Sequence, residues 1–370
     1  MAEAQSQTNA IIDLDWQFGA TLNHVIEKGQ KSLTVKEPGP DNHITVTGGQ
    51  LLIEGALPDG SDVSNRDSDM TFITSDVGMN VRIETDGRLE IDGEVGSRCE
   101  FKCKKRFESL SVRQGTTIIC DGDTMNIRGD VGRDCTIIHN GTGLLAISGD
   151  VDENVTIVSK GKVHVGGKRE AIENNSFVLG TVRSGSSITA AEEIKISEFV
   201  ESDVQLEVNG SVEDYEQAPC INIGSANVLK LDDGHDWRST GENVSLSSTG
   251  NIKLSSALGD YNTVNAVLSI QGHSVGKNCT LQVEDSGGYI HLMEGVDEKS
   301  VLTCPDAIRV RGTVAASAVL EAPNVTAKRA ALKDTKSPEN VGGSSYKQSL
   351  VQRHSARERA LSGDASGMRL

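Results

Sequence analysis

Aromatic side chains make up only 3% of the 370 residues. Broad globular cores draw much of their buried area from rings. This scarcity therefore points to a narrow interior, and it leaves no ring platform for sugars or bases. Proline is rare, at seven residues against 39 glycines. Strands thus keep their N–H donors, while turns gain residues that accept positive φ. No apolar run approaches 18 residues, so no membrane-spanning helix is expected. The opening "MAEAQSQTNAIIDLDW" has neither a basic nor an apolar leader segment, so Sec export is not expected and a cytoplasmic location is. Basic charge is outweighed: 36 Lys and Arg face 53 Asp and Glu, for a net charge of −17. Such a surface repels phosphate, which excludes nucleic acid as a general partner.

The cysteine pattern excludes a zinc knuckle. There are seven cysteines, an odd number with no C-x-x-C pair; the closest two, Cys99 and Cys103, are too widely spaced. Reduced, structural thiols are expected, with no metal and no cofactor. The chain also lacks a P-loop, a G-x-S-x-G elbow and an H-E-x-x-H helix.

What is present is a repeat. "VGRDCTI" at 131–137 returns as "VGKNCTL" at 275–281. The looser template of a valine followed six residues later by Ile, Leu or Phe recurs from Val77/Ile83 to Val314/Leu320. Its valines are separated by steps of 18, 17, 19, 20, 31, 18, 75, 21 and 18 residues. The 31-residue step is one repeat plus an insertion, and the 75-residue step is close to four repeats of about 19. "ENVTIVSKGKVHV" at 153–165 matches "ENVSLSSTGNIKL" at 242–254, which places a copy inside the long gap.

Each unit reads as a valine, a polar turn, a short alternating strand, a Gly-containing turn, a second short strand and a Gly-Asp turn. Strands of four to six residues with period two, and no sustained helical period between 44 and 330, define an all-β chain. A unit of about 19 residues holds about three such strands and closes on itself. Copies then stack ~4.8 Å apart with inward valines and isoleucines in ladders. The expected fold is a single-stranded parallel β-helix, or β-solenoid, of about 15 coils and roughly 70 Å. Cys99, Cys135 and Cys279 fall four residues after their valines, where other copies have Val81 and Val155. Cysteine there stands in for a small apolar residue.

Three segments follow. Residues 1–43 form an N-terminal extension and cap, in which "DWQFGATLNHVIEKG" at 15–29 spaces its apolar residues nearly as a helix does. Residues 44–331 form the solenoid. Residues 332–370 are a linker and a basic tail, disordered or with a short helix at 345–361 carrying Arg353, Arg357 and Arg359.

One stretch carries the residue types of hydrolytic chemistry. "LDDGHDWRS" holds Asp232, Asp233, His235, Asp236 and Arg238, the carboxylates and bases of a polygalacturonase-like site. There, however, the carboxylates come from separate coils, whereas here they share seven residues, as in a polar loop leaving one coil. The 17-to-21-residue drift departs from hexapeptide-repeat acyltransferases. Acidic turns such as "SGDVDEN" at 148–154 lack the nonapeptide pattern of calcium-binding β-rolls.

"ISGDVDENVTIVSKGKVHVGG" at 147–167 resembles the repeat of the flagellar assembly protein A family and of the C-terminal β-helix of the division inhibitor MinC. In "GTVRSGSSITAAEEIKISEFVESDVQLEVNGSV" at 180–212, Val182-Arg183-Ser184-Gly185 is similar to the stretch with which the MinC domain meets its ATPase partner; Ser186 stands in place of its Gln. Coil length and acidic turns are also similar to bactofilins, which are cytoskeletal polymers. The resemblance implies a β-helix, and it makes Arg183, Ser184, Gly185 and Ser186 candidate partner-binding residues. The function expected is a non-enzymatic scaffold that binds a protein partner or itself. The alternatives are a polysaccharide-active β-helix using the Asp232–Arg238 loop, or an effector delivered into another cell.

Overall fold

The computed structural model describes residues 8–12, 18–27, 30–168, 177–178, 180–212, 218–224, 240–255 and 257–327. These form a β-solenoid of about 15 coils: a 29-stranded sheet wound as a coil, every pairing within it parallel, with no helix among the described residues. The coil that begins at Val131 shows how the sequence closes the ring. Val131 bridges Val112 and Val151 in the coils on either side. Three residues later Asp134 adopts φ 57° and turns the chain. Thr136–His139 and Leu144–Ile147 then form two four-residue strands, each alternating outward and inward. They pair in register with Thr156–Ser159 and Lys162–Val165 of the next coil.

The positive-φ corner recurs three residues after the corner position, at Gly60, Asn80, Arg98, Gly115, Asp134, Asn154, Gly185, Asp203, Asn243, Tyr261, Asn278 and Lys299. Gly, Asn and Asp hold most of these sites because they enter the left-handed region at least cost. This tight corner also explains one difference from the expected three strands per coil. The third side shrinks to the single valine bridge, because the chain turns again before a longer pairing can form.

Inside, three rows run along the rod. One is the valine corner; the others are the inward positions of the two strands, such as Ile137 and Leu145, all fully buried. Fully burying each such side chain is worth about 1.5–3 kcal/mol. Phe101 and Phe107 fill one coil together, their ring centroids 6.0 Å apart. The rod is this thin because only one or two large side chains from each wall meet across it.

The N-terminal segment departs from its near-helical spacing. Thr21–Val25 is a strand that pairs in parallel with His43–Thr47. Thr8–Ile12 and Gln30–Lys36 add further rungs, so the sheet extends well before residue 44. A helical pattern confined to residues 15–29 is marginal without packing along its apolar face, whereas the edge of His43–Thr47 offers a full row of backbone partners. The corner motif continues here without valine: Pro38 is buried, Asn42 is fully buried, and Asp41 and Gly19 take positive φ.

The irregular steps also resolve. After Val165 the chain leaves the rod in a small antiparallel hairpin, Gly167–Lys168 with Phe177–Val178, which accounts for the 31-residue step. The 75-residue step holds three coils rather than four. Thr240 and Leu258 occupy the corner that valine holds in most coils. The extra length lies in the segments between Val208 and Cys220 and between Ile223 and Thr240. No helix among the described residues is long and apolar enough to cross a membrane. The basic tail, with Arg353, Arg357 and Arg359, lies outside the described residues.

Candidate functional site

The stretch 182–186 is one of the repeated corners. Arg183 sits outside, paired with Asp150 at 3.3 Å and Asp152 at 3.9 Å in the preceding coil. The Ser184 amide and hydroxyl both donate to Glu201 Oε2 in the following coil, at 3.2 Å each. Gly185 is the positive-φ turn residue, at φ 75°. Ser186 is buried, 1% exposed; its hydroxyl accepts from the Val155 amide at 3.1 Å and donates to the Asp152 carbonyl at 2.8 Å. The structure therefore brings the four together, with Arg183 and Ser184 facing solvent and Gly185 and Ser186 serving the turn.

Ser186 shares its slot with the repeated cysteines, and the slot proves polar rather than simply apolar. The thiols of Cys99, Cys135 and Cys279 lie 3.1 Å from the carbonyls of Gly78, Arg113 and Gly259, each one coil earlier. Thr116 and Ser300 donate to the equivalent carbonyls of Gly96 and Gly276. Cysteine is tolerated here as a small weak donor, which is why serine and threonine exchange with it. Burial pushes the thiols of Cys99 and Cys279 up to about 11. All seven cysteines are free; protonated and enclosed, the thiols of Cys99 and Cys279 are poor nucleophiles.

A second buried row, polar over four successive coils, lies at the end of the first strand. Cys103, Cys120, His139 and Ser159 occupy neighbouring rungs and point inward. His139 Nε2 is 2.9 Å from the Gly122 carbonyl, and its Nδ1 is 3.0 Å from the Ser159 hydroxyl. That hydroxyl also accepts from the Gly161 amide. The set is satisfied by a neutral imidazole that carries its proton on Nε2. Burial holds the His139 pKa below its ordinary value of 6.5.

One outward cluster was not found from the sequence. His164, Glu193, Cys220 and Asn222 come from three successive coils. His164 Nε2 lies 3.1 Å from Glu193 Oε2, and Asn222 Nδ2 donates to Glu193 Oε1 at 3.1 Å. The hydrogen bond with His164 is the main influence holding Glu193 below the usual carboxylate range. Burial, then the Glu193 charge, raises the Cys220 thiol, whose sulfur is 3.9 Å from Glu193 Oε1. The carboxylate thus stands between the imidazole and the thiol and ties three successive coils together. Aligning "KVHV", "EIKI" and "CINI" on successive rungs is the signal that would have revealed it.

Asp232, Asp233, His235, Asp236 and Arg238 lie outside the described residues. Among the described residues no group of three or more His, Cys, Asp or Glu side chains is placed to hold a metal. A shallow depression of about 410 Å³ follows the corner row past Val275, Val296 and Val314, where Gly276, Gly295 and Ala315 leave space.

The most uniform surface is the outward face of the first-strand ladder. From Thr117 onward, rungs such as Thr117/Ile119, Thr136/Ile138 and Thr156/Val158 stack in register. The two preceding rungs, Arg82/Glu84 and Glu100/Lys102, are fully charged. No protein-family model, curated protein or solved structure matches the chain, so its own geometry carries the functional reading.

Proposed function

We propose that this protein is a non-enzymatic β-helical scaffold that acts by binding protein, foremost further copies of itself, in a reducing cytoplasm. The observation that carries this reading is that, among the described residues, one parallel ladder runs the length of the sheet and its terminal strands have unpaired outer edges. Among the described residues, no strand pairs with the outer edges of Thr8–Ile12 and Thr21–Val25, or of Val319–Glu321 and Asn324–Ala327. At the N-terminal end Ile11, Phe18 and Val25 are 64%, 76% and 65% exposed. An unpaired strand edge flanked by apolar side chains is a template for another chain. The repeat grammar shared with bactofilins, the flagellar assembly protein A family and MinC supports a rod of this kind. Seven free thiols suit a reducing compartment. A protein partner reading the Val182 corner would meet Arg183 and Ser184.

Size-exclusion chromatography with light scattering across a concentration series tests the proposal. The mass is expected to rise with concentration, and Phe18→Lys is expected to reduce it if the N-terminal edge takes part. A monomer at every concentration refutes self-assembly.

A further inference from the structure

We infer that the outward face of the first-strand ladder, from Thr117 to Glu321, is where two copies of this chain pack face to face. The inference rests on the self-association reading above and names its surface.

Ten successive first strands make up this face, from Thr117–Cys120 to Val319–Glu321, and every pairing between them is parallel without a register shift. Each strand presents two outward side chains. Across all ten, Glu207 and Glu321 are the only charged ones, and there is no Lys or Arg. Half of the positions are Ser or Thr, and most others are Ile, Val, Asn or Gln. Yet 24% of the whole chain is charged. The second-strand ladder on the same coils carries Lys162, Glu193, Lys195, Lys253 and Arg309. Charge is therefore kept off one side of the rod, and the boundary is abrupt: Glu100 and Lys102 occupy the rung directly before Thr117 and Ile119.

The lack of charge fits an interface core, where charged residues are depleted. The shape fits as well. Short hydroxyl and β-branched side chains on an in-register sheet give a level surface, and two such sheets pack about 10 Å apart with aligned strands. Ten rungs at ~4.8 Å by four residues at ~3.3 Å give about 600 Å² per copy. The total of roughly 1,200 Å² reaches the lower end of specific interfaces.

Charge selects the occupant. A chain of net charge −17 repels its own copies wherever its carboxylates face one another. This face removes that repulsion, and Ser and Thr hydroxyls can pair across it. Contact between identical faces is isologous and closes at two copies. It thereby joins rods side by side, leaving both ends free for the end-to-end contact proposed above.

The test is sedimentation equilibrium on four forms of the full chain: wild type, Ile138→Lys/Thr156→Lys, Asn126→Lys and Phe18→Lys. Asn126 faces outward on the second-strand ladder, so its variant controls for added charge. Matching thermal melts establish that each variant is folded, and Thr156→Lys alone replaces the double variant if the latter is not. The face variant is expected to weaken dimerisation tenfold or more, with Asn126→Lys unchanged. Undiminished assembly by the face variant overturns this inference; loss of assembly by Phe18→Lys alone then leaves the scaffold reading standing on the ends. A wild-type monomer at all concentrations overturns both. Retention of that monomer on a crystalline polysaccharide, abolished by Ile138→Lys/Thr156→Lys, reassigns the face to a carbohydrate surface.

Discussion

Val131 and Thr240 occupy the same corner of the repeat, and the two corners are held in different ways. Val131 is fully buried and bridges a valine on either side. Its slot partner Cys135 donates weakly to the preceding coil. Thr240 is equally buried, but among the described residues the corner ladder breaks between it and Leu258. Its hydroxyl accepts from the Gly259 amide at 3.2 Å and from Asn262 Nδ2 at 2.8 Å. Asn262 fills the slot held elsewhere by cysteine, serine or valine; its Oδ1 accepts from the Val244 amide at 2.7 Å. One corner is thus an apolar stack and the other a polar plug. The repeat accepts either, provided both members change together, because a buried polar group without its partner costs more than the pair gains.

The largest way to break the comparison is at the apolar corner. Val131→Asp places an unpaired carboxylate in a dry stack, and a loss of about 4 kcal/mol or more is expected in chemical denaturation. At the polar corner, Thr240→Val and Asn262→Cys are each expected to cost about 1–3 kcal/mol: the first leaves the Gly259 amide without its acceptor, the second does the same to the Val244 amide, and both lose the bond between the two side chains. The double variant is expected to recover at least ~1 kcal/mol relative to the sum of the singles. Strict additivity would show that the plug is not a unit.

A pH series sharpens the regular side. His139 stays neutral when folded, its pKa held below the ordinary 6.5, whereas the unfolded chain takes up the proton near that value. Stability is therefore expected to fall as pH drops through about 6.5 and to keep falling until the folded-state pKa is reached, by at most ~1.4 kcal/mol per pH unit. His139→Gln is expected to flatten that slope whatever it does to stability at neutral pH; an unchanged slope would assign the titration elsewhere.

Two smaller effects complete the series. Tyr261 holds φ 60° beside the polar plug, a conformation that costs a bulky residue about 1 kcal/mol. Tyr261→Asn is expected to raise the melting temperature by about 2 °C, and a fall would count against a strained corner. Arg133 is exposed on the turn after Val131, and Arg133→Glu is expected to change stability by less than about 0.5 kcal/mol.

The regular coils were legible because their information is local. The alternation in "CTIIHNGTGLLAI" places Ile137, His139, Leu145 and Ile147 inward without reference to any other coil, and the structure buries all four. The breaks were less legible. Thr240 and Leu258 escaped a template that required valine, so three coils were counted as four. The cluster around Glu193 escaped because His164 and Glu193 lie 29 residues apart, on either side of the Gly167–Val178 insertion. The strand Thr21–Val25 was obscured by apolar spacing that suits a helix as well as a strand, and pairing with His43–Thr47 decided between them.

By itself the sequence determined the coil, its corner and its inward rows, since a repeat of about 19 residues can bury its apolar side chains only by stacking on its own copies. The tertiary structure alone decided what each rung meets. It set the register across the insertions, matched Thr240 to Asn262, tied Gly185 and Ser186 into a turn, and aligned the uncharged strands into one face. Those outcomes depend on contacts between coils, and the backbone ladder fixes such contacts only when the whole rod is wound.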